Sequence, residues 1–156
     1  MKQLIWIFAI ISFTVGCSNQ PHNGGDSRAT CKVDTIVYEA LIHNIDPSEP
    51  WKNEWLKHLD RETFINDLFT QLYSKKVKAV DYFSKEPMSI EQIKEWESNN
   101  PRSAIGKLQF TEKWIWFGDE GRFEKEVIAI LPAYESFTDN GDLRGYKAGL
   151  QIILKE

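Results

Sequence analysis

The chain has 156 residues, a formal net charge of −4, 42% hydrophobic residues and 13% aromatics. That length points to one domain, and that composition excludes wholesale disorder. Mild acidity without a basic run excludes general nucleic-acid binding and charge-driven adhesion to an anionic membrane.

Residues 1–16 read as an export signal. Lys2 supplies a positive end, and Leu4 to Val15 is an apolar run of 12 residues. A spanning helix needs about 20. Thr14-Val15-Gly16-Cys17 resembles a bacterial lipobox. That resemblance implies that Cys17 becomes the first mature residue and carries acyl chains. Each buried CH₂ of an acyl chain is worth about 0.8 kcal/mol, so several chains anchor firmly. Ser18 and Asn19 are not the Asp that resembles an inner-membrane retention signal, which points to the outer membrane of a Gram-negative cell. The alternative is a plain secretory signal with Cys17 bonded to Cys31, the only other cysteine. Residues 17–30 are rich in Gly, Ser and Asn and read as a flexible tether.

From 31 to 156 the pattern is that of a single α+β domain. KVDTIVYEALI (32–42) is rich in β-branched residues and reads as an N-terminal strand. Trp51, Trp55 and Leu56 suggest a helical turn. Asp60 is a good N-cap for a helix whose apolar face is Phe64, Ile65, Leu68, Phe69 and Leu72. VKAVDYF (77–83) is a short strand or extended link. Ser89 and Gln92 form a capping box for a second helix that ends at Asn99-Asn100-Pro101.

The last third reads as an antiparallel three-stranded meander, split by the turns GDEG (118–121) and DNGD (139–142). Phe117 opposite Arg122 brings Trp116 to Phe123, Lys113 to Glu126 and Phe110 to Ala129. An Asn140-Gly141 turn brings Leu131 to Leu150, Ala129 to Ile152 and Val127 to Leu154. Both registers place Leu108, Phe110, Trp114, Trp116, Phe123, Val127, Ala129, Leu131, Leu150, Ile152 and Leu154 on one face. The expected fold is this meander packed with two helices, plus the N-terminal strand. The opposite face would carry Ile115, Phe117, Ile128, Ile130 and Ile153, too apolar for open solvent. Phe117, Ile128, Ile130 and Ile153 are therefore candidate partner-binding residues, unless strand 32–42 covers them.

The residues offer little for catalysis. His22 lies in the tether, and neither His43 nor His58 has a second His or Cys at i+3 or i+4, so no metal site is expected. No phosphate loop, dinucleotide fingerprint or nucleophile elbow occurs. Glu124 and Glu126 share a strand face, but Lys113 and Lys155 flank Glu126 as a surface ion-pair row. No cofactor, no catalytic residue and no nucleic-acid partner are expected. Trp51 and Trp55 remain the candidate platform for a glycan or other ligand, because flat rings stack on sugar faces.

Three stretches carry a family resemblance. LYSKKVKAVDYFSKEPMS, FTEKWIWFGDEGRFEKEVIAILPAYE and RGYKAGLQIIL resemble GldN/PorN-type proteins of gliding motility and type IX secretion in Bacteroidetes. The matching positions are Lys78, Ala79, Asp81 and Tyr82; Glu112, Lys113 and Trp114; Ile128 to Pro132; and Gly145, Tyr146 and Lys147. The resemblance covers about residues 60–154. It implies a non-enzymatic periplasmic protein that works by protein–protein association with an envelope partner. Its members resemble soluble partners of a separate lipoprotein, so this chain would be a divergent variant anchored through Cys17. The alternative is a ligand- or glycan-binding envelope lipoprotein.

Overall fold

A computed structural model describes residues 30–155. The expected export signal, Cys17 and most of the tether lie outside the described residues.

The α+β class holds, with a larger sheet than the sequence suggests. Six antiparallel strands form one sheet. They are β1 (Thr30–Leu41), β2 (Lys78–Asp81), β3 (Ile105–Phe117), β4 (Arg122–Phe137), β5 (Leu143–Ala148) and β6 (Leu150–Ile153). The order is β1-β3-β4-β6-β2, and β5 pairs with the far end of β4. The N-terminal strand is thus an integral edge of the sheet, and the link at 78–81 closes the other side. What reads as one last strand is split into β5 and β6 at Gly149.

Three helices complete the domain: α1 (Trp51–Leu56), α2 (Arg61–Tyr73) and α3 (Ile90–Asn99). The caps form as the sequence indicates. The Asp60 side chain accepts from the Thr63 N–H, and Ser89 and Gln92 close a reciprocal capping box. Ile65, Leu68, Phe69 and Leu72 recur at helical spacing and are buried, whereas Phe64 is exposed. Full burial of a side chain such as Phe69 is worth about 1.5–3 kcal/mol. These residues meet Ile93 of α3 and Ala79, Leu108, Ile130, Tyr134, Leu150 and Ile152 of the sheet in one core. Both α2 and α3 therefore cover the same sheet face. Burial pushes the Tyr134 hydroxyl up to about 12.

Two of the breaks in the ladder change the faces expected for β4 and β6. The β3–β4 register is as expected from Phe117/Arg122 to Glu112/Val127, then shifts so that Thr111 pairs with Ala129. Ile128 is the extra residue, and its carbonyl accepts from the N–H groups of both Leu154 and Lys155. A bulge of this kind exchanges the two faces for every later residue of the strand. Phe110 consequently pairs with Ile130, not Ala129. Ile130 lies in the core, while Ala129 and Leu131 are buried outside that cluster. This corrects the expected faces of all three. The second break, at Gly149, moves Ile152 opposite Ile130 and Ile153 opposite Ala129. It restores Leu150 and Ile152 to the core side.

Candidate functional site

The helices cover only part of their sheet face. The β3–β4 hairpin and the edge strand β1 run on beyond them. On β3 the alternation Leu108, Phe110, Glu112, Trp114, Trp116 keeps every second residue on the helix-bearing face. Leu108 lies in the core and Phe110 packs against it. Past that point the residues leave the core. Trp116 is 39% exposed, and Phe123, directly opposite it, is 43% exposed. Trp114 is half-buried. The expectation that Trp114, Trp116 and Phe123 pack in the core is therefore corrected: they lie on the expected face, but among the described residues no helix packs over that end.

The aromatic residues there form a continuous set through strand register. Tyr38 of β1 pairs with Phe110, and their rings stack at 5.5 Å. Trp114 and Phe123, diagonal neighbours across β3 and β4, meet edge to face at 5.1 Å. Each such aromatic pair is worth about 0.5–1.5 kcal/mol beyond its area.

Glu112 sits in the middle of this set and is only 4% exposed. The Tyr38 hydroxyl donates to one of its carboxylate oxygens at 2.8 Å. The Trp114 indole N–H donates to the other at 2.9 Å. Lys125 Nζ stands 3.9 Å away and also lies 4.8 Å over the Trp114 ring. Burial alone would raise the Glu112 pKa. The Trp114 and Tyr38 hydrogen bonds, with Lys125, outweigh it and leave the pKa lowered. The same bond to the carboxylate raises the Tyr38 pKa. Glu112 thus acts as an internal strut that fixes the Tyr38 and Trp114 side chains. The product is a half-exposed aromatic surface in which the Tyr38 hydroxyl and the Trp114 indole are each tied to one carboxylate.

The residues expected to form a partner face are not brought together. Phe117 lies on the opposite side of the hairpin tip, half-buried, with the Arg122 guanidinium 3.7 Å over its ring. Ile128 is the half-buried bulge residue, and Ile130 is internal. Ile153 is half-buried beside β2. Trp51 and Trp55 do meet, at 4.5 Å, and Trp55 is 75% exposed. Their planes are inclined by 71°, so they present an edge and a face rather than one flat platform.

The sequence marks Glu112 only as a position of the family resemblance and gives Tyr38 no role. The available signal was an acid at an apolar-face position between Phe110 and Trp114.

The ion-pair row at Glu126 is present. Lys113 faces Glu126 across the strands, and Lys155 Nζ donates to it at 2.6 Å. His43 Nδ1 lies 2.8 Å from Glu135 Oε1, and His58 is exposed. Among the described residues no group of three or more His, Cys, Asp or Glu is placed to hold a metal. No protein-family model, curated protein or solved structure matches the chain.

Proposed function

We propose that this protein is an outer-membrane-anchored lipoprotein of the cell envelope that acts by docking another envelope protein, without enzymatic chemistry. The observation that carries the reading is the aromatic sheet end, which no helix among the described residues covers: Tyr38, Trp114, Trp116 and Phe123 on one face, held around Glu112. Exposed aromatic groups of this density are typical of association surfaces, where Tyr and Trp are enriched as anchors. Lys125 at the margin would orient a partner carrying acidic groups. The likeness of the strand motifs to GldN/PorN-type proteins supports a role beside gliding-motility or type IX secretion components. The lipobox-like sequence at Cys17 supports the anchor.

The docking surface is accordingly moved from Phe117, Ile128, Ile130 and Ile153 to the helix-bearing face. Affinity purification of the native lipoprotein tests this: Trp116→Ala with Phe123→Ala should abolish partner recovery.

A second reading, ligand or glycan binding, is favoured by the exposed Trp51 and Trp55 pair. It predicts quenching or shift of tryptophan fluorescence on adding glycan oligomers, lost in Trp55→Ala.

A further inference from the structure

We propose that the outer edge of β1 pairs with the same edge of a second copy of this chain, joining two sheets about a two-fold axis at Val37. The margins of the sheet differ. Residues 86–88 close the outer side of β2: Asp81 N–H donates to the Glu86 carbonyl and Met88 N–H to the Ala79 carbonyl, both at 2.9 Å. Among the described residues no strand pairs with the outer side of β1 or of β5. β5 is short and carries Arg144 and Lys147, charges of the kind that keep an edge unpaired. β1 is twice as long, at 12 residues against 6.

One hydrogen bond sets the backbone polarity of that edge. Leu41 is opposite Lys107, and the Ile42 N–H donates to the Gly106 carbonyl at 2.9 Å. In an antiparallel ladder such a bond flanks a pair that is not itself hydrogen-bonded, so the N–H and C=O of Leu41 point away from β3. By the same alternation, so do those of Glu39 and Val37. The side chains beside them are exposed, Val37 by 55% and Tyr38 by 39%. Thr35-Ile36-Val37-Tyr38 is a run of strong strand formers without charge or proline. The bulge between Val33 and Ile36 breaks only the first part of the strand. Glu39 is the one charged residue from 35 to 41, and Lys107 Nζ already holds it at 3.2 Å. The devices that usually blunt an edge are therefore missing from its second half.

Self-complementarity selects a second copy and fixes the register. Opposed side chains in a ladder share one face of the sheet, so two-fold pairing of identical strands must place one residue opposite itself. With Glu39 on the axis, two carboxylates meet. With Tyr38 there, each Glu39 faces a Val37. An axis at Ile36 carries the ladder into the bulge. With Val37 on the axis, Val37 meets Val37, Glu39 meets Thr35, and Ile36 meets Tyr38 of the second copy. That register sets apolar against apolar and the acid against a hydroxyl. It also makes Val37 a hydrogen-bonded pair with itself, as its outward N–H and C=O require. The axis stands normal to the sheet, so both helix-bearing faces lie on the same side of the joined sheet.

The pairing does not use Trp116 or Phe123, so it stands or falls independently of the docking reading. The test is oxidative cross-linking of the native lipoprotein in its membrane, measured against a Cys31→Ser parent. Cα atoms of a hydrogen-bonded antiparallel pair lie about 5.5 Å apart, within disulfide reach. Val37→Cys should give a disulfide-linked dimer that the parent lacks. Glu39→Cys alone should not, because the two positions would stand about 15 Å apart. Co-expressed with a Thr35→Cys copy, it should link to that copy. Val37→Glu gives a readout without disulfides. It sets two like charges opposite each other at an exposed position, and should weaken the dimer at least about tenfold by sedimentation in detergent while the fold persists. A wild type that sediments as a monomer at every concentration overturns the proposal, as does the absence of a Val37→Cys dimer. Equal linking of Glu39→Cys also overturns it. So does Val37→Cys linked to a different protein, the result expected if a partner's strand takes the edge.

Discussion

The indole of Trp96 packs against the backbone of Gly149 so closely that a single added carbon would enter the ring. Trp96 comes from α3, and Gly149 is the break between β5 and β6. The Gly149 carbonyl accepts from Tyr82 N–H at 2.8 Å, and the Trp96 ring meets Tyr134 edge to face at 6.0 Å. This contact fastens α3 to the sheet where its ladder changes register. Gly149→Ala should therefore destabilise by about 1–3 kcal/mol through overpacking. Urea unfolding checks this, with a lower midpoint and an unchanged slope. A shift below about 0.5 kcal/mol would show that the ring moves aside without cost.

Glu112 makes stability depend on pH in a defined direction. Its folded pKa lies below the ordinary 4.5. Its stabilising contribution is therefore fully present above that value and is lost as pH falls through the folded pKa. Glu112→Gln should cost about 1 kcal/mol at pH 7 and flatten the loss of stability between about pH 5 and pH 3. Asp46, Asp60, Asp81, Glu91 and Glu126 are also lowered, each first by a hydrogen bond, so part of the acid sensitivity remains. Parallel acid profiles for the two proteins would mean that folding does not lower the Glu112 pKa.

Lys75 gives the opposite sign. A left-handed non-glycine residue costs about 1–2 kcal/mol, and glycine gives back about 0.5–1 of that through a freer unfolded chain. Lys75→Gly should thus stabilise by about 0.5–1 kcal/mol. Lys85 shares the conformation, with φ 62. Its ammonium, however, lies 4.2 Å over the Tyr82 ring. Lys85→Gly forfeits that contact and should gain less. Thermal melts of both variants decide the order.

Much of this architecture is legible in the residues. The Asp60 and Ser89 caps, the α2 periodicity and the Phe117/Arg122 pairing all arise from interactions a few residues apart or across one tight turn. The bulge at Ile128 was not legible. Val127-Ile128-Ala129-Ile130 is an unbroken apolar run, so its alternation carries no mark of the extra residue. One undetected insertion moved Ile130 from a partner surface into the core. The exposure of Trp116 was hidden for a different reason. Alternation gives the face of a strand, but the reach of the helices is set by tertiary packing. Hence the aromatic site, which depends on where α2 and α3 stop, could be read only in part.

The anchor is a separate question from the fold. Cys17→Ser should leave an unprocessed precursor and abolish metabolic labelling with acyl chains. An intramolecular bond between Cys17 and Cys31 in the mature protein would replace the lipid reading with that of a secreted protein.

The most direct measurement for the docking account is quantitative capture of envelope proteins by the native lipoprotein. It compares wild type with Trp116→Ala plus Phe123→Ala. Both side chains are more than a third exposed, so the double variant should stay within about 1 kcal/mol of wild-type stability. The account predicts one or more stoichiometric partners with the wild type, and at least about a tenfold loss of recovery with the folded variant. A folded double variant that captures the same partners undiminished would contradict it.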